Sequence, residues 1–410
     1  MSNDSSAFAP ILEPLLDVAA LRADTPGCDR VTHFNNAGCG LMPRAVLDAQ
    51  VEHLALEATI GGYESSALRG AAIADFYAAT ADLIGARAEE IAFASCATHA
   101  YSKALSAIAF ERGDVILTTR HDFISNQIAF LALRQRFGVE VVHAPDAPEG
   151  GVDVEAMAAL MHARRPRLVA ATHVPTNSGL VQPVAAIGRH CRELDLLYLV
   201  DACQSLGQFP LDVEAIGCDL LTATCRKWLR GPRGSGFLYV SSRLLDQGFE
   251  PLFIEMRGAT WVAEDRYQPV ATAKRFEEWE LNYAGIIGCA VATRYALAVG
   301  LDAIAARAPM LAARLRRRLE AIPGVRVLEH GAQLAASVTL AVAGWESQPF
   351  KDALDARRIN SALSYRDYAV FDFGDKDVDW CSRLSPHYYN TEAEVDLVAD
   401  AVAEIVAAGL

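Results

Sequence analysis

The sequence has little of what marks several protein classes. Its nine cysteines are scattered over 410 residues, with no C-x-x-C pair. An odd count spread through a long chain fits reduced, structural thiols rather than a zinc site or a disulfide framework. Ten histidines are dispersed and no H-E-x-x-H motif occurs, so no metal centre is expected. No apolar run reaches the roughly 18 residues of a membrane helix. The opening MSNDSSAFAP lacks the basic region and apolar stretch of a secretion signal. The expectation is a cytoplasmic protein without membrane contact. Positive charge is also in deficit: 37 Lys and Arg against 51 Asp and Glu leave −14. Such a chain has no electrostatic reason to bind nucleic acid. The basic run Arg314, Arg316, Arg317 and Arg318 falls in a helical pattern and reads as a solvated helix face. No G-x-G-x-x-G sits between a first strand and its helix, which sets aside a Rossmann-type NAD enzyme. Internal repeats and low-complexity tracts are absent.

What is present is an alternation. Short apolar runs at Ile91–Ala94, Val115–Thr118, Val139–His143, Leu168–His173, Leu196–Asp201, Leu220–Thr224 and Gly236–Val240 predict strands buried on both faces. Helical patterns at Thr98–Phe110, Ser125–Phe137, Val154–Arg164 and Val184–Asp195 lie between them. The pattern predicts an α/β fold with a mostly parallel sheet, whose ligands bind beyond the carboxyl ends of the strands. After about Tyr283 a long helical region runs to Ile322. Short strands follow, then a helix near Pro349, then a strand near Asn360–Ser364. A capping box, Thr391-Glu-Ala-Glu394, opens a final amphipathic helix. This predicts three parts: residues 1–30 packing on the smaller unit, a large ligand-binding domain over 31–285, and a small α+β domain over 286–410.

Two strand ends carry the chemistry. Leu196-Leu-Tyr-Leu-Val-Asp201-Ala-Cys-Gln204 ends a strand in a carboxylate, which is either a cap for the next turn or a ligand contact. The next strand ends at Thr224, followed by Cys-Arg-Lys227 and a glycine-rich loop. An Asp and a Lys converging over one sheet edge meet the needs of pyridoxal 5′-phosphate (PLP). That cofactor takes an amine as a Schiff base and an anion on its pyridine nitrogen. The carboxylate stabilises the protonated ring. A partly desolvated lysine is a useful nucleophile and base at neutral pH.

Three further strand ends bear on the same edge. Ser95-Cys-Ala97-Thr98 opens a helix whose free N–H groups form a phosphate cradle, or else is a plain N-cap. Phe123 either stacks on a planar ring or belongs to the core. Asn177, in Thr172-His173-Val-Pro-Thr-Asn177-Ser-Gly179, faces a ligand oxygen or only shapes a turn.

The order of these elements resembles the class V aminotransferase superfamily, which includes cysteine desulfurases, isopenicillin N epimerase and C–S lyases. The resemblance runs from His33-Phe-Asn-Asn-Ala-Gly38 to the final helix. It implies the PLP-dependent transferase fold type I and a homodimer. It implies Lys227 as the Schiff-base lysine and Asp201 on the pyridine nitrogen. Gln204 and Asn177 would lie near the phenolic oxygen, and Phe123 against the ring. Ala97, Thr98 and Thr224 would hold the phosphate, and Arg383 the substrate carboxylate, to which a guanidinium binds in bidentate fashion. Asn36, Tyr63, Trp279 and Tyr365 would complete the substrate pocket. Tyr63 and Tyr365 read equally as interface aromatics.

Departures from the family narrow the reaction. The stretch Asn360-Ser-Ala-Leu-Ser-Tyr-Arg-Asp-Tyr has no cysteine where persulfide-forming relatives carry one. Arg226 replaces the usual histidine before the lysine, and Trp279-Glu280 replaces a Gly-Thr pair that reaches the neighbouring subunit's phosphate. Gly61-Gly-Tyr63, Arg226–Gly234 and Arg383-Leu-Ser-Pro-His387 resemble the C–S lyase of ergothioneine biosynthesis. The expected activity is a β-elimination on a small-molecule cysteine conjugate, releasing pyruvate and ammonia. An aminotransferase or epimerase uses the same lysine, and a non-catalytic scaffold of this fold predicts a broken lysine or aspartate, whereas both are intact.

Overall fold

In the computed structural model, which describes residues 16–409, the seven apolar runs form one sheet. Its strands are β1 (Ile91–Ala94), β2 (Val115–Thr119), β3 (Glu140–Ala144), β4 (Leu168–Thr172), β5 (Tyr198–Asp201), β6 (Leu220–Thr224) and β7 (Gly236–Val240). The order across the sheet is β1-β7-β6-β5-β4-β2-β3. β7 runs antiparallel to both neighbours and the remaining pairs are parallel. β1, β2 and β4–β7 are buried at every position, whereas the edge strand β3 is partly exposed. Continuous apolar runs are what a sheet covered on both faces requires. One cluster, with Phe76, Val169 and Leu221, fills one side, and another, with Tyr101, Phe130 and Leu199, fills the other.

Helices follow the strands as expected: α1 (Ala97–Ser106), α2 (Ile124–Phe137), α3 (Val154–Arg164) and α4 (Val184–Glu193). β1 to β4 therefore deliver their last residues, and the first turn of the next helix, to one edge of the sheet, where β5 and β6 also end.

The long helical region is broken. Tyr283–Val299 and Leu301–Glu320 meet at 82°. Gly300, with φ of 94°, makes the corner in a region that side chains with a Cβ rarely adopt. No single helix among the described residues is long and apolar enough to cross a membrane.

A second sheet contains β8 (Val325–Val327), β9 (Val338–Val342), β10 (Ala362–Tyr365) and β11 (Trp380–Leu384), in the order β8-β9-β11-β10, all antiparallel. Leu311 and Leu315 from one side and Val395, Val398, Val402 and Ile405 of the final helix share its core. The capping box is made: Glu394 N donates to Thr391 Oγ1 at 3.1 Å, and Thr391 N to Glu394 Oε2 at 3.0 Å. Arg22, in the short helix Val18–Ala23, donates to the Tyr389 carbonyl and to Glu394. The first fifteen residues, part of the expected 1–30 segment, lie outside the described residues.

The expected solvated arginine face needs correction at Arg316. That residue is buried, pairs with the buried Glu329 at 3.1 Å, and donates to the Ala335 and Ser337 carbonyls. Its neighbours Arg314 and Arg318 do face outward and share Asp396. A helix with 3.6 residues per turn cannot hold four consecutive-range arginines on one face, and the one turned inward brings its own counter-charge.

Candidate active site

β5 and β6 are parallel neighbours, so Asp201 and the loop after Thr224 emerge side by side. A cleft at this edge is lined by Ala97, Thr98, Phe123, Asp201, Gln204, Thr224 and Lys227, and by Arg226. These expected residues converge although they span much of the sequence. Lys227 is buried, and its Nζ lies 6.0 Å from the centre of the Phe123 ring. Burial lowers its pKa below that of an ordinary lysine; Asp201 opposes this and Arg226 and Arg383 add to it. The amine is thereby drawn toward the neutral form that acts as nucleophile and base.

Asp201 is fixed by its surroundings. Its Oδ1 accepts from Cys203 N at 2.9 Å and its Oδ2 from Asn126 Nδ2 at 3.1 Å. Asn126 also donates to Asp122 at 3.0 Å, and Asp122 accepts from Thr172 Oγ1, Gln127 and Phe123 N. Burial pushes the Asp122 carboxyl up, these donors hold it down, and it settles at about 6.

The loop carrying Lys227 is locked from behind. Arg230, at φ of 63°, is buried and donates to Leu41 O, Tyr388 Oη and Thr25 Oγ1. Trp228 Nε1 donates to Gln204 Oε1 at 2.7 Å, and His387 contacts the Trp228 carbonyl at 2.8 Å. Gln204 in turn donates to Ala37 O and Thr176 Oγ1. Thr224 donates to Ser235 O.

Arg383 enters from β11 and is buried. Its Nη1 donates to Thr176 O at 3.2 Å, Nε has no partner, and burial brings its pKa down to about 10. Thr176 lines the cleft, so this guanidinium borders it without a counter-ion.

Other expected cofactor and substrate residues are not gathered here. Asn36 spends both ends of its amide on the fold, donating to Ser385 O and accepting from Tyr389 Oη. Asn177 lies beside the cleft, its Nδ2 3.5 Å from Tyr368 O and its Oδ1 without a partner. Tyr365 reaches Ser347 and stacks edge-on against Tyr368. Tyr63 and Trp279 lie on the surface of the chain, 75% and 47% exposed. Asn282 caps the helix Tyr283–Val299 by accepting from Gly285 N, and Glu280 is exposed. Asn126, Thr176 and Arg230 carried no role in the sequence reading. The one signal for Asn126 is its place four residues after Asp122, across a helix start.

The residues fit PLP. A buried amine, a carboxylate held by two donors and an aromatic ring surround one cleft. The first turn of α1 has N–H groups with no intrahelical partner. Gly236 of β7 lies against it so closely that a Cβ would meet Ala97 N at 3.2 Å, which keeps that approach open. Lys227 would hold the aldehyde carbon, Asp201 the ring nitrogen, and the α1 N-terminus the phosphate.

Fold and cleft together define an enzyme of PLP-dependent fold type I. The sequence profile described as aminotransferase class-V matches residues 32–398, and the chain belongs to that family. It is 30% identical to a probable hercynylcysteine sulfoxide lyase of Mycobacterium tuberculosis, over 92% of this chain and 90% of that protein. It is 29% identical to a probable cysteine desulfurase of Methanothermobacter thermautotrophicus, over 80% of this chain and 82% of that one. Among solved structures, the apo cysteine desulfurase from Thermococcus onnurineus NA1 superposes with a TM-score of 0.88 at 26% identity, covering 96% of this chain and 98% of that one.

Proposed function

We propose that the enzyme is a C–S β-lyase acting on a cysteine S-conjugate or its sulfoxide. PLP, when bound, supplies the sink for the electrons left at the α-carbon. Arg383 holds the substrate carboxylate, which fixes the α-carbon relative to Lys227. The Lys227 amine takes the α-proton, and the sulfur substituent leaves from the β-carbon. Asp201, oriented by Asn126, would keep the ring nitrogen protonated, and Phe123 would cover the ring.

The observation that carries this reading is the state of the thiols. The segment beside the cleft, from Ile359 to Tyr368, has none. Cys381 is buried in β11, where burial lifts its pKa to about 12. Cys203 lines the cleft, but burial and then Asp201 push its pKa well above that of a free thiol. Cys96, the other thiol lining the cleft, is engaged as the N-cap of α1, its Sγ accepting from His99 N. A sulfur acceptor must be a thiolate, which favours sulfur leaving with the departing group.

The test is incubation with cysteine S-conjugates and their sulfoxides. Pyruvate and ammonia formed without a keto acid are expected. A requirement for a keto acid would establish a transaminase instead, and α-proton exchange with an intact skeleton an epimerase. Desulfurase chemistry, the activity for which several relatives are named, would yield alanine from cysteine.

The functional unit in this reading is a homodimer. Leu47, Val51 and Leu54 on the helix Arg44–Ile60, together with Phe253, Met256 and Trp261, leave large apolar surfaces uncovered. Large apolar side chains left in water on an ordinary surface favour a partner that covers them.

A further inference from the structure

Asp122 is buried and surrounded by donors. One carboxylate oxygen accepts from Phe123 N at 2.7 Å, from Asn126 Nδ2 at 3.0 Å and from Thr172 Oγ1, and the other accepts from Gln127 Nε2 at 2.7 Å. Donors on both oxygens suit the charged form, which only accepts. Gln127 is committed at both ends of its amide, since its Oε1 lies 2.8 Å from His143 Nε2. With its N–H turned to a carboxylate, its oxygen faces the imidazole, and His143 must carry a proton on Nε2.

The bonds form one directed chain. His143 donates to Gln127, Gln127 to Asp122, and Asn126 to both Asp122 and Asp201, the last at 3.1 Å. It runs from the edge strand β3 to β5, with β2 and β4 between them in the sheet. Neither Gln127 nor His143 lines the cleft. His143 is covered from outside by Phe371 of the helix Val370–Lys376, with ring centres 4.7 Å apart, and the Arg120 guanidinium lies 5.0 Å from the same Phe371 ring. Both side chains therefore act only through what they hold.

We propose that Gln127 and His143 are positioning residues for Asp201, holding the Asp122 carboxylate so that Asn126 presents an N–H to Asp201. The proposal rests on Asp201 taking the ring nitrogen of PLP. Asn126 has two amide hydrogens, one for each carboxylate. If Asp122 shifts or takes up a proton, its bond to Asn126 is weakened and the amide is free to turn. Asp201 then keeps Cys203 N as its one fixed donor. Burial favours the neutral form of Asp122, and Gln127 is one of the donors that oppose it. A second anion near Asp201 also favours the protonated ring.

The test titrates the full-length apoprotein with PLP and with its 1-deaza analogue, in which C–H replaces the ring nitrogen, and follows tryptophan fluorescence. The two compounds share aldehyde, phosphate and shape. Damaged packing weakens both alike, whereas lost support for Asp201 weakens PLP alone. Wild type should prefer PLP at least about tenfold, the size expected for one hydrogen bond to a charged group. D201A should lose that preference. Q127M keeps side-chain length without the amide, and H143F keeps a ring against Phe371 without a donor. Each should narrow the preference at least about threefold, while H143Q, which restores an N–H without the ring, should stay within about twofold of wild type. Equal weakening of both compounds by Q127M and H143F, or no change in either, would overturn the proposal. So would an H143Q protein as impaired as H143F, since the ring rather than its proton would then be what matters. A D201A protein that keeps the wild-type preference would remove the Asp201 reading itself. A preference lost in D201A but intact in Q127M and H143F would sink the chain of bonds alone.

Discussion

Asn126 donates to Asp201 across 3.1 Å and, from the same amide nitrogen, to Asp122 across 3.0 Å. One neutral group thus joins two carboxylates that are both buried. In the proposed site the amide would hold Asp201 for the pyridine nitrogen, and it offsets the repulsion between the acids. N126A leaves Asp201 with Cys203 N alone. Losing a buried hydrogen bond to a charged group costs about 1–3 kcal/mol, which is roughly 5- to 150-fold in an equilibrium constant. PLP should bind the variant more weakly by a factor in that range, read by titrating apoprotein through tryptophan fluorescence. N126D, which adds a third carboxylate, should be worse. Unchanged PLP affinity in both variants would show that Asp201 needs no such support.

With Lys227 as the proposed covalent anchor for the cofactor, the K227A protein should lack the visible absorbance of the wild-type holoenzyme. Its turnover should fall at least about a thousandfold, because the proton-transferring group is removed as well. Mass spectrometry after borohydride reduction should find the added cofactor on the peptide containing Lys227 in wild type. Modification of any other lysine would contradict the assignment.

The strands and the Asp201–Lys227 pair were legible because they obey local rules. An apolar run between turns reads as a buried strand wherever it occurs, and polar residues just past it mark the ligand edge. Asn126 and Arg230 obey no such rule. Asn126 matters because α2 brings it beside β5, whose Asp201 lies 75 residues further on. Arg230 matters because residues 205 positions before and 158 after it meet its guanidinium. The inward turn of Arg316 was hidden for the same reason, since its partners lie on the loop between β8 and β9. Tyr63 and Trp279 differ again. Their aromatic character was visible, but a single chain leaves both at the surface.

Those surface aromatics lead to a test of assembly. Two chains joined through the apolar faces around Leu54 and Trp261 should give light-scattering mass near twice 44.2 kDa. Replacing both residues with charged ones, L54E with W261E, should halve the mass and reduce activity together. A wild-type monomer with full turnover would remove the dimer from the proposal.

His121 sits between Asp146 at 3.5 Å and Asp372 at 3.2 Å, with Arg120 bound to Asp146 and Asp375, and Lys376 bound to Asp372. The cluster pins the helix Val370–Lys376 to the loop that precedes Phe123. Burial pulls the His121 pKa down, but Asp146 and Asp372 outweigh it and raise it to about 9 from 6.5. A raised pKa means the folded state holds the proton more tightly. The stabilisation is therefore complete below about pH 6.5, declines above that, and is gone once pH passes about 9. At full strength it amounts to at most about 3 kcal/mol. Asp372 has the opposite dependence. Burial raises its pKa, but His121 and Lys376 lower it below the ordinary value, so its contribution is lost as pH falls through that depressed value. H121Q should melt below wild type at pH 6, with the gap closing between pH 6.5 and 9, measured by calorimetry at matched ionic strength. A gap that stays constant across that window would show that His121 acts through packing alone.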